Sequence, residues 1–584
     1  MKPTEKQKLA ALRGAIKEQG LDGFIIPRTG EFQGEFVAAY AERLAWLTGF
    51  TGSAGTAVVL PRKAVILTDG RYTIQLAQQA DKRLYSHENS QEITPEKWLE
   101  ENAGQGESIG YDPWLTTPRQ ADRIRGTLTE KGIKLVAVEK NPVDVIWKDR
   151  PAFPRAKAKI FPKKFSGLSS AEKINGVRKA LKQKKLDACI ITLPDSLAWL
   201  LNIRGGDVVH TPVVLSFGII HANGRVKWFV HPGKISPAVK KYLGKKVEII
   251  HPGKMKAAIT ALKKKRVGLD FSRSADWFKL ELGKAAVDFK DPCVAPKAIK
   301  NKAEQRSLRA AHMRDGAALV NFLYWLDTEG KKKKLTEMGV VEKLESFRKK
   351  DSSYRGPSFD TISGWGANGA IVHYRATKKT NANIKPPGLL LLDSGGQYED
   401  GTTDITRTIA IGKPTEEMKR HFTLVLKGHI AVARANFPLG TTGAQIDTLA
   451  RMALWRDGLD YAHGTGHGVG CYLSVHEESA SLSPRGTESI RAGMFLSNEP
   501  GYYKEGAYGI RIENLVLVRR EGDKMLGFET FSLVPIDRAL IKKDMLTSAE
   551  LGWINAYHAE VIKKNGPKLE KEVRAWLALQ ASPL

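Results

Sequence analysis

The sequence holds only three cysteines in 584 residues, Cys189, Cys293 and Cys471, far apart and with no CxxC pair. That scarcity excludes a disulfide-stapled scaffold and a thiolate zinc ribbon. Long apolar runs are also missing. Stretches such as Pro212 to Ile220 fall far short of the roughly 18 residues that a membrane span needs. The opening MKPTEKQKLAALRGAIKEQG has no apolar core of the signal-peptide kind; Leu9, Leu12 and Ile16 fit an amphipathic helix instead. No low-complexity tract is present, and a reducing cytoplasm is the expected compartment. What remains is a globular balance of 42% hydrophobic and 27% charged residues, enough for three or four domains of about 150 residues.

Acidic residues are scarce in one place only. Residues 1–150 carry 21 basic and 20 acidic side chains, residues 151–300 carry 31 and 10, and residues 301–584 carry 40 and 33. The net charge of +29 therefore sits mainly in the middle third, in runs such as Lys163-Lys164, Lys184-Lys185 and Lys263-Lys264-Lys265-Arg266. Lysine runs without interleaved arginines and aromatics read as solvated helix faces, so no specific nucleic-acid partner is expected.

An internal echo divides the first half. Leu21-Asp22-Gly23-Phe24-Ile25-Ile26 returns as Leu186-Asp187-Ala188-Cys189-Ile190-Ile191, each after an amphipathic helix. The second helix opens with the capping-box pattern Ser169-Ser170-Ala171-Glu172. Downstream, Leu44-Ala45-Trp46-Leu47 is matched by Leu197-Ala198-Trp199-Leu200. Two matches in the same order point to tandem α/β domains, separated by a Pro- and Lys-rich linker from Asp149 to Ser170. The expected plan is an α/β (α+β) chain with domains over 1–155, 165–298 and 303–541, then a helical extension over 542–584.

The chemistry concentrates in residues 373–513. Gly388 to Leu392 reads as a buried strand ending on Asp393, followed by the turn formers Ser394-Gly395-Gly396 and Asp400-Gly401. In the next strand, Thr402 to Ile411, alternation places Thr402, Asp404, Thr406 and Thr408 on one face, so a hairpin brings Asp393 and Asp404 together. Two ionised carboxylates in a partly buried site repel, and a multivalent cation between them removes that cost. Glu499 precedes the Pro500-Gly501 turn. Alternation over Gly509 to Asn514 puts Arg511 and Glu513 on one strand face, and the glycines of His463-Gly-Thr-Gly-His467-Gly-Val-Gly470 favour a loop. Four carboxylates and one imidazole form an oxygen-rich ligand set suited to manganese-like ions.

HGTGHGVG, with Asp393, Asp404, His467, Glu499 and Glu513 in that order, resembles the dinuclear metallopeptidases of the pita-bread fold, which include methionine aminopeptidase, prolidase and aminopeptidase P. The long, three-domain Xaa-Pro aminopeptidase group is the nearer resemblance. It is carried by Gly52-Ser53-Ala54-Gly55-Thr56, Thr68-Asp69-Gly70-Arg71-Tyr72, Asn202-Ile203-Arg204-Gly205-Gly206-Asp207, Asn368 to Tyr374 and Glu499-Pro500-Gly501-Tyr502-Tyr503. The resemblance implies two creatinase-like N-terminal domains before a pita-bread catalytic domain. It also implies two divalent ions, usually Mn²⁺, with Asp404 and Glu513 bridging, Asp393 on one ion, and His467 and Glu499 on the other. His373, His463 and His476 are then histidines around the substrate, and Arg71 is a first-domain residue that reaches the active site. Arg511 would hold ligand carboxylates ionised.

The activity so implied is release of the first residue from peptides with proline second, through hydroxide bridging the two metals. His373 or His476 would donate to developing oxyanion charge, and Glu499 would pass a proton to the departing proline nitrogen. The pyrrolidine ring would lie against His463, His476 and Tyr374. The group usually forms homodimers through the third domain. Two other readings stay open: a prolidase restricted to X-Pro dipeptides, and a metal-free pita-bread protein that only binds partners.

Overall fold

The structure, a computed structural model, describes residues 3–330 and 334–584. The chain divides into two compact units, one running to Lys163 and resuming over Leu168–Cys293, the other comprising Lys164–Gly167 and Val294–Leu584.

The N-terminal unit contains two six-stranded sheets. The first is built from β1 (Gly23–Pro27), β2 (Thr56–Val59), β3 (Ala64–Thr68), β4 (Ser86–Asn89), β5 (Ser108–Tyr111) and β6 (Lys134–Ala137), in spatial order β4-β3-β2-β1-β5-β6. The second uses Ala188–Ile191, Phe217–His221, Val226–Phe229, Val247–Ile250, Val267–Leu269 and Ala286–Asp288. Counted along the chain, its order is again fourth, third, second, first, fifth, sixth. In both sheets the first and second and the second and third strands are antiparallel, and the other neighbours are parallel. The expected tandem α/β architecture is thus present strand for strand.

The echoed residues do the same work in each copy. Asp22 accepts the backbone N–H of Ser108 at 2.9 Å and Asp187 that of Arg266 at 2.9 Å, each tying the first strand to the start of the fifth. Leu21 packs over Gly110 and Leu186 over Gly268, where an added Cβ would come within 2.6 and 3.0 Å of the leucine. The second echo is a cation–π clamp. Lys8 donates to the Trp46 carbonyl at 2.5 Å and lies over its ring, and Lys173 donates to the Trp199 carbonyl at 2.9 Å and lies over that ring. Thr4 and Ser169 close capping boxes on the helices that carry these lysines, Glu5–Glu18 and Ser170–Gln183. The lysine runs at 163–164, 184–185 and 263–266 are exposed, and all three cysteines are buried, none of them in a disulfide.

The C-terminal unit sets helices Lys302–Thr328, Glu416–Ala433, Gly443–Trp455 and Ser548–Asn565 around small antiparallel sheets. Strands Ile362–Trp365, Gly388–Ser394 and Ile405–Ile411 make one sheet, with Leu389 to Leu392 buried on both faces. A six-stranded sheet runs in the order Phe437–Pro438, Met525–Thr530, Asn514–Glu521, Phe495–Asn498, Gly466–Gly468, Glu477–Leu482. Gly501–Lys504 and Tyr508–Arg511 form a two-stranded ribbon. Among the described residues, no helix is long and apolar enough to cross a membrane.

Three local expectations need correction. The segment after Asp393 is not a plain hairpin: Gly396–Tyr398 and Gly401–Thr402 join a separate sheet with Tyr354–Pro357, and Asp404 stands just before its strand begins at Ile405. Arg511 and Glu513 do not share one strand. Tyr508–Arg511 ends in the ribbon, and the chain crosses at Ile512-Glu513 into the six-stranded sheet. His467 is not in a loop but on strand Gly466–Gly468, whose register shifts after it. Gly395, between the two aspartates, is held so closely that a Cβ there would lie 2.0 Å from Ser358 Oγ and from the Thr403 carbonyl. Gly395→Ala is expected to lower stability by about 1–3 kcal/mol through this overpacking, read as a lower denaturant midpoint at unchanged slope. An unchanged midpoint would contradict the packing described.

Candidate metal centre

Asp393 closes strand Gly388–Ser394 opposite Thr406, so Asp404, two residues before Thr406, is its diagonal neighbour. Ligand atoms of Asp404, His467 and Glu513 all lie within 4.8 Å of one another. His467 Nε2 is 3.5 Å from Asp404 and 3.3 Å from Glu499. Its Nδ1 donates to the Gly468 carbonyl at 2.8 Å, which orients Nε2 toward the acids. Ser497 ties this wall together: its hydroxyl accepts the His467 N–H at 2.9 Å and donates to Glu499 at 3.1 Å. Asp393 takes a 2.6 Å ion pair from Arg511, which is itself buried. Glu513 accepts the Thr406 hydroxyl at 2.9 Å, and its backbone N–H donates to the Thr406 carbonyl at 3.2 Å.

Burial decides the electrostatics. It pushes Asp404 up to about 6 against the opposing hydrogen bond of His467, with the Asp393 charge adding to the rise. Burial, then the charges of Asp404, Asp393 and Glu499, holds Glu513 well above the carboxylate range, and burial raises Glu499 as well. For His467 burial works against the imidazolium, yet the Asp404 hydrogen bond and the Glu499 charge outweigh it, and the value rises to about 9. Three carboxylate oxygens, Asp393 Oδ1, Asp404 Oδ1 and Glu513 Oε1, are buried without a hydrogen-bond partner among the described residues. Orphaned acceptors of one charge type, converging at one place, are what a cation site requires. The donor set fits divalent metal.

The substrate-facing candidates divide. His476 stacks edge-on to His467 with ring centroids 4.2 Å apart. His463 is half a turn of loop before the strand, with Nδ1 on the Gly464 carbonyl and Nε2 2.8 Å from the Tyr503 hydroxyl, which in turn takes Arg511 Nη1 at 2.5 Å. His373 is half-buried and follows Val372, whose carbonyl lies 3.5 Å from Arg511. Tyr374 is buried, and its hydroxyl donates to Glu337 at 2.8 Å and to the Thr380 carbonyl at 3.0 Å. Arg71 belongs to the N-terminal unit, where Asp69 holds it at 2.8 Å.

Models of known families match nearly the whole length in succession. The creatinase/prolidase N-terminal domain matches residues 8–150 and again, in a second form, residues 149–304. The metallopeptidase family M24 matches 306–520, and the C-terminal region of that family matches 524–584. A probable Xaa-Pro aminopeptidase P of Aspergillus fumigatus is 41% identical over 606 residues, spanning 99% of this chain and 92% of its own. The chain belongs to metallopeptidase family M24. Among solved structures, the X-prolyl aminopeptidase of Caenorhabditis elegans, a cytosolic enzyme with a di-nuclear active site, superposes with a TM-score of 0.97 at 34% identity over 100% of both chains. The prolidase of Pyrococcus horikoshii OT3 shares the fold over 62% of this chain and 99% of its own, at 23% identity and a TM-score of 0.50.

Several residues of this M24 site escape sequence reasoning. Glu337, fully buried, accepts from the Trp365 and Ala382 backbones, Asn368 and Tyr374, pinning the segment that carries His373. Arg451, paired with Asp447, donates to the His463 carbonyl at 2.6 Å. Buried Lys297 and Lys300 both pair with Glu477, next to His476. None has a local signal; each reads as an ordinary helix or strand residue until distant segments meet.

The raised values make the metal-free protein pH-sensitive in one direction. Asp404 contributes stability that is full below 3.8 and lost as pH rises through about 6; His467 contributes stability full below 6.5 and lost as pH rises through about 9. Chelated protein is therefore expected to melt lower at pH 8 than at pH 5, by about 3 °C or more, with Mn²⁺ cancelling the decline. A melting temperature that rises with pH in chelator would refute this charge balance.

Proposed function

We propose that the chain is a metal-dependent aminopeptidase that removes the first residue of peptides with proline second. The observation that carries this reading is the convergence of Asp393, Asp404, His467, Glu499 and Glu513, with three carboxylate oxygens left unpartnered. Four ionised acids facing one guanidinium leave three negative charges uncompensated, an excess that divalent ions would offset: one would leave one negative charge over and two would leave one positive charge over. Asp404 and Glu513 would hold both ions, Asp393 one, and His467 with Glu499 the other. The oxygen-rich set favours Mn²⁺. Two such ions would supply a nucleophile at neutral pH by lowering the pKa of a shared water to about 7.

The chain's own residues do the rest. Arg511 holds Asp393 in an ion pair that aims it, and Tyr503 couples Arg511 to His463. His476 and His373 donate to the carbonyl oxygen as negative charge develops on it. Glu499, whose burial raises its proton affinity, carries a proton to the departing proline nitrogen. The acids also bind a free α-amino group, which makes the enzyme an exopeptidase. Proline's tertiary amide has no N–H, so a wall of imidazole edges accepts it without leaving a donor unpaired.

The three buried cysteines, none in a disulfide, support work in a reducing cytoplasm, as does the cytosolic Caenorhabditis elegans protein. Exposed Met452 and Trp455, one turn apart on helix Gly443–Trp455, support a homodimer through the C-terminal unit.

Purified protein is expected to contain near two equivalents of metal and to release the first residue from an X-Pro-Pro tripeptide. Chelation should abolish turnover and Mn²⁺ restore it. Glu513→Gln should cost about 100-fold or more in kcat, and Arg511→Met, which acts through Asp393, about 10–100-fold. Cleavage of X-Pro dipeptides alone would make the enzyme a prolidase, and turnover that survives chelation would sink the proposal.

A further inference from the structure

The N-terminal unit contains an open cavity of about 790 Å³ lined by residues of both its halves. Its position follows from topology. β1, β5 and β6 end at Pro27, Tyr111 and Ala137, and the lining residues Phe32, Trp114 and Asn141 come directly after them. In the second sheet the parallel strands Val226–Phe229 and Val247–Ile250 are followed by His231 and His251. Both sheets thus direct the carboxyl ends of parallel strands at one space, the place where open α/β sheets bind ligands.

The floor is aromatic. Phe32 and Phe217 stack at 4.6 Å, Trp114 lies 6.0 Å from Phe217, and Phe153 lies 5.0 Å from Tyr40. The polar edge comes from a motif that occurs twice, His231-Pro-Gly-Lys234 and His251-Pro-Gly-Lys254. In each, the imidazole Nδ1 accepts the N–H of the glycine two residues on, at 3.1 Å. A neutral ring so held carries its hydrogen on Nε2, so both histidines, 5.4 Å apart, are fixed as donors. Arg155 lines the same edge and makes no ion pair among the described residues.

Three of the four acids that line the cavity are already committed. Glu31 and Asp144 are neutralised by Arg43 and Arg150, and Asp112 accepts from Asn141 and the Trp114 N–H. Glu139 stands exposed beside exposed Lys140. What is unspent is donor capacity: Arg155, the two imidazoles, and Arg43 Nη1, buried without a partner among the described residues. We propose that this cavity is a ligand site for a small anion bearing a planar ring, the ring on the aromatic floor and the carboxylate or phosphate at Arg155, His231 and His251.

Trp114 is a built-in reporter. Fluorescence and calorimetric titrations of the full-length, metal-loaded protein with indole-3-acetate and with adenosine monophosphate separate a carboxylate from a phosphate. Indole, adenosine and inorganic phosphate serve as the ring-only and anion-only controls. At least one ring anion should bind about 10-fold or more tightly than its neutral counterpart and than phosphate alone. His251→Ala and Arg155→Ala, both at exposed positions, should each weaken it by about 10-fold and leave X-Pro-Pro hydrolysis within about twofold. Equal binding of neutral rings, wild-type affinity in both variants, or no binding of either anion below about 10 mM would each overturn the proposal.

Discussion

Everything in the C-terminal unit answers to one constraint: four carboxylates are held together out of water with a single guanidinium among them. Burying like charges is unfavourable unless a counter-charge is supplied, and Arg511 supplies only part of it. The acids stay in place because their backbones cannot move. Leu389 to Leu392 and Leu515 to Val518 are nearly fully buried on either side, and Arg407, buried beneath, donates to the Glu513 carbonyl at 2.6 Å. A rigid apolar frame therefore holds a polar cluster that would otherwise relax apart.

The same device recurs one layer out. Each of the three non-ligand histidines sits beside backbone or a neighbour held by a buried ion: His373 by Glu337 and Arg511, His463 by Arg451, His476 by Glu477 with Lys297 and Lys300. Loops that carry chemistry are usually the mobile parts of a fold. In this unit buried charge–dipole and charge–charge contacts, worth more than neutral hydrogen bonds, restrain the backbone around them.

Which of this was legible in the sequence follows from the range of the interaction. Asp393 and Glu499 announce themselves because each stands just before a turn marked by Gly or Pro, where packing has no use for an acid, and Asp404 because alternation sets it on one face with Thr402, Thr406 and Thr408. The tandem domains are visible because Leu21-Asp22 and Leu186-Asp187 perform an identical local task. The crossing at Ile512-Glu513 is hidden, since alternation from Gly509 to Val518 reads as one unbroken strand although two sheets share it. Glu337, Arg451 and Lys297 are hidden more deeply: a helix residue becomes a hub only when segments tens of residues away close over it.

The duplication in the N-terminal unit separates what a fold needs from what a site needs. The two copies share the residues that set strand register and seat the first helix, the Leu–Asp pair and the Lys–Trp clamp. They part company at the carboxyl ends of corresponding strands. After the third strand the first copy continues Asp69-Gly70-Arg71, an internal ion pair, whereas the second continues to His231-Pro232-Gly233-Lys234, an oriented imidazole. Sheet geometry tolerates such divergence because residues beyond a strand end carry no ladder hydrogen bonds and little core area. A duplicated sheet is therefore free to keep its interior and acquire different chemistry at its rim, which places the unexplained donors of this unit where binding can arise at least structural expense.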